Sequence, residues 1–247
     1  MATTELTSNP MAPPLPALSP QAELALLARM LFREGYDDHL AGHITYRQPD
    51  DTLLVNPFAL TWDELKASDV MRIDLDGNVL EGKWTVTPAI PLHLELHKAR
   101  RDVGVAVHNH PRWGTIWADL QRIPGVYDQT SAQVAGDPAF YAEYQGAVND
   151  AGNARRAVAA LGESRMALLA NHGVFVVGRD IAMAHHRCIT LEWRCRQAWH
   201  VEAAGGGVPL DPEVHARFAK PFDHISFPGL WEAMARRELR ADPGVLD

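Results

Sequence analysis

Residues 165–180 read RMALLANHGVFVVGRD. Two short apolar runs flank Asn171-His172-Gly173, and each has the length of a strand rather than of a stable helix. A chain with such a pair builds a sheet, and the rest must supply helices to cover it. The other segments fit that demand. Ser19-Pro20 is a helix start, with Ser as N-cap and Pro at the first helical position. Helical periodicity then runs to Gly35. HITYR (43–47) and TLLVN (52–56) read as strands joined by turn residues, and residues 71–82 as a hairpin around Asp76-Gly77. TWDELKASDV (61–70) reads as a short helix with Thr61 and Glu64 forming a capping box. Residues 91–101 are helical and 104–110 form a strand. Pro111 opens the next helix, where its missing N–H costs nothing. Asp180 caps a long helix to about residue 203, GGGVP (205–209) breaks it, and helices follow around 211–220 and 228–239. The expected class is α/β: one domain with a mixed sheet covered by helices. That domain is expected over 19–204, between a disordered Pro-rich arm (1–18) and a tail with short helices (205–247).

Composition serves mainly to exclude. A chain of 247 residues, 47% apolar and 22% charged, has enough material for a sizeable core. A net charge of −8 and the lack of any Lys/Arg-rich run argue against a nucleic-acid partner. No run of apolar residues is long enough to span a membrane, and the N-terminus lacks the basic and apolar regions of a secretory signal. The expected location is cytoplasmic. Cys188 and Cys195 stand seven apart in a helical pattern, so roughly 10 Å of rise separates them. That is too far for a disulfide, and they read as buried free thiols. Twelve histidines then carry the search for chemistry.

In GVAVHNHPRWG (104–114), His108 and His110 are two apart in a strand, so they project side by side from one face. Two imidazoles so placed can share a metal ion. His172 ends another apolar run, and the following Gly173 frees the backbone to turn. If the two strands end on the same side, three imidazoles converge. That is a common catalytic zinc arrangement, and it also suits manganese or iron.

PLHLELHKARRDVGVAVHNHPRWG, followed some sixty residues later by ALLANHGVFVVG, resembles the class II aldolase/adducin family. So does the order of AGHITYR and VNPFALTWDELKASDVMRIDLDGNVLEG, and the resemblance runs from about residue 22 to 203. It implies an α/β/α sandwich around a central, largely antiparallel sheet. It implies one divalent metal per subunit on His108, His110 and His172, zinc in first place with manganese or iron as alternatives. It also implies a small-molecule substrate and homotetramers with the active site at a subunit interface.

The chain departs from the sugar-phosphate aldolases of that family. These carry a catalytic Glu four residues before a helix His; here that His is His93, and Ala89 stands where the Glu would be. Their phosphate anchors are replaced as well. His43 takes the place of an Asn, Phe58-Ala59 of a Thr-Gly pair, and Thr87-Pro88 of a Ser-Ser pair, where Pro has no N–H to donate. A phosphorylated substrate is not expected. The pattern is similar to the adducin-like branch, which includes animal cytoskeletal head domains without known catalysis, and to bacterial decarboxylases of hydroxylated aromatic or pyridine carboxylates. The animal heads replace metal ligands in part, whereas this chain keeps all three His.

The expected function is a divalent-metal-dependent carbon–carbon lyase, by decarboxylation or aldol cleavage, on a small non-phosphorylated hydroxy or oxo carboxylate, aromatic acids included. The alternatives are an adducin-head-like interaction module and a three-His iron oxygenase. His93 is the expected proton carrier. Tyr127 lies near where the aldolases place a proton-donating Tyr, ahead of Asp128 and Gln129. His43 and Arg47 are expected to bind the substrate carboxylate, Arg47 bidentately. His97, His185, His186, Trp113 and Trp117 read as structural.

Overall fold

The computed structural model describes residues 13–133, 136, 138–144, 146, 148–218 and 227–247; most of the Pro-rich arm lies outside them. Helix α1 (Pro20–Arg33) begins where the Ser19 hydroxyl accepts the Ala22 N–H at 3.2 Å. Strands β1 (His43–Arg47), β2 (Leu53–Val55), β3 (Met71–Ile73) and β4 (Val79–Glu81) follow as a meander. Then come α2 (Pro91–Ala99), β5 (Val105–Asn109), α3 (Arg112–Asp119), β6 (Ala139–Tyr141) and α4 (Ala151–Leu161). Strands β7 (Met166–Leu169) and β8 (Gly173–Gly178) lead into the long α5 (Ile181–Ala203), and α6 (Pro212–Phe218) and α7 (Leu230–Ala241) close the chain. Among the described residues the strands form one sheet in the order β4-β3-β2-β1-β5-β8-β7-β6, antiparallel throughout except for β6 on β7. This is the expected α/β class with a mixed, largely antiparallel sheet.

Alternation along the strands sorts the two faces. Val174 and Val176 of β8 pack with α1, α3, α5 and α7, while Phe175 and Val177 pack with Leu92 and Leu96 of α2 and Ala154 and Ala157 of α4. Leu24, Leu26, Leu27 and Leu31 of α1 are fully buried, each worth about 1.5–3 kcal/mol of apolar burial. Trp231, Ala235 and Val245 join that same core, and Arg29 pairs with Asp242 at 2.7 Å, so residues 230–245 are fastened to α1. The sorting also places the chemistry. Ile44, Val105 and Val107 face α1 and α5, so His43 and Thr45 of β1 and His108 of β5 face α2. Register sets His43 directly opposite His108. No helix among the described residues is long and apolar enough to cross a membrane.

The helix expected over 61–70 does not form. Thr61 N–H still donates to Glu64 Oε1 at 2.9 Å, as a capping box would have it. Helix propagation then fails because the carbonyls of Glu64 and Leu65 accept from the buried Arg29 guanidinium, at 3.3 and 2.7 Å, and only a single 3₁₀ turn, Ala67–Asp69, follows. Strand β6 and helix α4 fill a stretch to which sequence reading gave no element. Asp150 caps α4 by accepting the Asn153 N–H at 2.9 Å, and Gly162 ends it.

Candidate metal centre

β5 and β8 are antiparallel neighbours, so the end of β5 and the start of β8 lie together. That brings His108, His110 and His172 into one cluster. Their ring centroids are 4.8–5.1 Å apart, and one nitrogen from each lies within 4.8 Å of the others. Two of the rings have their tautomers set from behind. His108 Nδ1 donates to the Val174 carbonyl at 2.8 Å, and His110 Nδ1 to Asp38 Oδ2 at 2.8 Å. Each ring is left with a bare Nε2, the lone pair a metal requires, and the His110 Nε2 is buried without a protein partner. Burial, then the neighbouring imidazoles, hold His108 well below the ordinary histidine range and His172 at about 4. Neutral, unprotonated imidazoles are what divalent ions bind. The donor set fits a metal.

The loop carrying Asp38 is stitched to β5. Asn109 accepts the His110 N–H at 2.7 Å and donates to the Ala41 carbonyl at 3.2 Å. Behind the pair, Glu192 of α5 accepts the Trp113 and Gly114 N–H groups at 2.8 Å each, anchoring the start of α3; burial pushes its pKa up to about 7. On the other side, Asn171 takes the left-handed turn (φ 54°) that precedes His172. Gly173 was expected to supply that freedom, but its role is clearance. A Cβ there would meet the Asn109 carbonyl at 2.5 Å and His110 Cδ2 at 2.7 Å.

Two of the remaining candidates back the cluster. The His43 ring lies 5.0 Å from that of His108, fully buried, with both nitrogens unpartnered. Burial, then repulsion from His110 and His172, hold it at about 3. His93 of α2 sits behind it, 4.4 Å from His43 and 5.2 Å from Phe175. Arg47 is not brought to the cluster. It lies at the far end of β1, about 13 Å along the strand from His43. Its guanidinium is spent on Asp51 and the His97 carbonyl. Tyr127 packs beside Gly125 and Gly207 and against the core shared by α1 and α5. Asp128 binds Ser131 and Trp193, and Gln129 is exposed. His97, His185 and His186 are buried, as are both thiols; Trp117 is core and donates to the Cys195 carbonyl at 2.8 Å.

Three residues beside the centre escaped sequence reading. Asp38 orients His110, and Thr45 binds His93. Tyr144, 56% exposed, presents its ring edge-on to His172 at 6.4 Å. Nothing local marks any of them; each depends on a tertiary neighbour.

The family profile described as "Class II Aldolase and Adducin N-terminal domain" matches residues 22–199. A solved aldolase II superfamily protein from Pseudomonas syringae superposes with a TM-score of 0.81 at 27% identity, covering 93% of this chain and 98% of its own. A 3,4-dihydroxyphthalate decarboxylase of Arthrobacter keyseri is 28% identical over 81% of this chain and 86% of its own length. A 4-hydroxy-3-prenylphenylpyruvate oxygenase/4-hydroxy-3-prenylbenzoate synthase of Streptomyces roseochromogenus is 31% identical over 77% and 70%. With its fold, its three-imidazole cluster and most of its length in agreement, this chain belongs to the class II aldolase and adducin family.

Proposed function

We propose that this chain is a divalent-metal-dependent carbon–carbon lyase that decarboxylates, or cleaves by retro-aldol reaction, a small non-phosphorylated hydroxy or oxo carboxylate, with an aromatic acid favoured. The observation that carries the proposal is the convergence of His108, His110 and His172, with Nε2 left bare on two of them by the Val174 carbonyl and Asp38. A divalent ion held there, zinc in first place, supplies Lewis acidity for the electron pair left when the carbon–carbon bond breaks.

The chain's own residues do the rest. His43 closes the inner side of the centre with two unpartnered nitrogens, suited to a substrate hydroxyl or carboxylate. In decarboxylation, CO₂ leaves without the bonding pair, and the carbon keeps that pair and takes up a proton. His93 is the group assigned to hold that proton. Tyr144 stands over His172 on the open side. Against a phosphate stand Pro88, which lacks an N–H, and the half-exposed ring of Phe58. The likeness to a dihydroxyphthalate decarboxylase supports an aromatic carboxylate.

The test starts with elemental analysis of the wild-type protein beside His172→Ala. Near one equivalent of metal, lost in the variant, is expected. CO₂ release from a panel of ortho-hydroxylated aromatic carboxylates, with aldol substrates run in parallel, then reads the reaction. Metal-free protein that cannot be reloaded, or no bond cleavage with any divalent ion, would leave an adducin-head-like interaction module instead. One relative is named as an oxygenase, and three imidazoles select weakly among metals, so oxygen uptake with iron is the second reading to measure.

A further inference from the structure

Behind the metal centre the row of imidazoles ends on a hydroxyl between two rings. Thr45 Oγ1 lies 2.7 Å from His93 Nδ1 and 2.8 Å from His97 Nε2. All three residues are 0% exposed. Burial keeps both rings neutral. It pushes His93 well below the ordinary histidine range, aided by His43 and His97, and His97 to about 3, aided by Arg47. A neutral imidazole has one N–H and one bare nitrogen, and a hydroxyl has one proton. Both short contacts are therefore hydrogen bonds only if the hydroxyl donates to one ring and accepts from the other. Suppose it donates to His97 Nε2: His97 then carries its proton on Nδ1, and His93 donates from Nδ1. Suppose instead it donates to His93 Nδ1: both rings then carry the proton on Nε2. In either case the two histidines share one tautomer. His93 Nε2, buried with no protein partner, is a bare acceptor in the first arrangement and an N–H donor in the second, so its state follows that of the hydroxyl.

We propose that Thr45 is a positioning residue whose hydroxyl locks His93 and His97 in one common tautomer and so fixes the protonation of His93 Nε2 beside His43. The use of that nitrogen rests on the lyase reading above, where His93 carries the proton; the tautomer lock itself does not.

Two-bond ¹H–¹⁵N spectra of the full chain, labelled at histidine in a deuterated background, report which ring nitrogen bears the proton. His93→Gln and His97→Gln assign the signals, and the spectra are taken metal-free and zinc-loaded. Both rings are expected in the same tautomer in the wild type and in Thr45→Ser. In Thr45→Val, which keeps the shape and loses the hydroxyl, the rings no longer share one fixed form, and at least one changes tautomer or averages between the two. Opposite tautomers in the wild type, or both rings unchanged in Thr45→Val, each overturn the proposal. Should Thr45→Val not fold, the wild type and Thr45→Ser decide alone. On a substrate, Thr45→Val lowers kcat by about tenfold or more at little-changed KM, and Thr45→Ser restores it. A wild type without lyase activity sinks the functional reading and leaves the spectra to judge the lock.

Discussion

His185 sits on the face of α5 turned toward α7, wholly buried, with its ring 5.8 Å from Trp231 and neither nitrogen partnered. Burial, with repulsion from His186 and Arg237, holds its pKa at about 3 against an ordinary 6.5. The folded protein thus refuses a proton that the unfolded chain accepts. The stability tied to this residue is complete above pH 6.5 and is lost as pH falls from there toward 3. Between pH 7.5 and 5.0 the unfolded chain takes up the proton almost fully and the folded chain hardly at all. The difference is about 2 kcal/mol. His97, also held at about 3, adds a similar loss. Together they remove a large part of a typical stability of about 5–15 kcal/mol. His185→Leu deletes the titration and two unsatisfied polar atoms. At pH 7.5 its stability is expected within about 1 kcal/mol of wild type, since replacing an orphaned polar group by an apolar one is close to neutral. At pH 5.0 it should exceed wild type by about 2 kcal/mol. Urea unfolding followed by tryptophan fluorescence, with metal chelated and one protein concentration, measures both. Equal losses in the two proteins between these pH values would show that His185 is solvated or already protonated in the fold, and the reasoning fails.

Asp38→Ala should weaken metal binding about 10–100-fold, and Asp38→Asn, which keeps an acceptor for His110 Nδ1, should weaken it less; competition with a chromophoric chelator reads both. Gly173→Ala forces a Cβ into Asn109 and His110, so it should lose metal and about 1–3 kcal/mol of stability, seen by elemental analysis and denaturant midpoint. Arg47→Ala should lower stability and leave substrate KM unchanged, because the guanidinium serves Asp51 and the His97 carbonyl. Ala89→Glu should not produce sugar-phosphate cleavage, since Pro88 and Phe58 still deny the phosphate its anchors; a coupled aldolase assay checks this.

The histidine triad was legible because its signals are local. An H-x-H at a strand end and an Asn-His-Gly between two apolar runs each declare a side chain's direction and an element boundary. Whether those ends meet is a question of strand order, and sequence reading alone left it open; the antiparallel pairing of β5 with β8 answers it. Arg47 shows the opposite failure. The position follows the family's motif, yet four residues of extended chain carry it away from His43, toward Asp51. The missing helix at 61–70 fails for a third reason. Its propensity is sound, but a buried arginine thirty-five residues away takes the carbonyls it needs.

The histidine row depends on one register. His43 lies opposite His108, and Thr45, two residues on, keeps the same face, where α2 delivers His93 and His97 one turn apart. A slip of one residue between β1 and β5 would send Ile44 to the α2 face and bury His43 and Thr45 among the leucines of α1. The slip would cost apolar burial and leave polar atoms unpaired, so the apolar residues that alternate with the histidines enforce the register on which the histidine cluster depends. Packing and the proposed site are here one constraint. For that reason substitutions at Ile44 or Val107, which touch neither metal nor substrate, are expected to loosen the centre as well as the core. Ile44→Ala should lose about 2–5 kcal/mol and weaken metal binding together. If it lost stability alone, register and site would be separable.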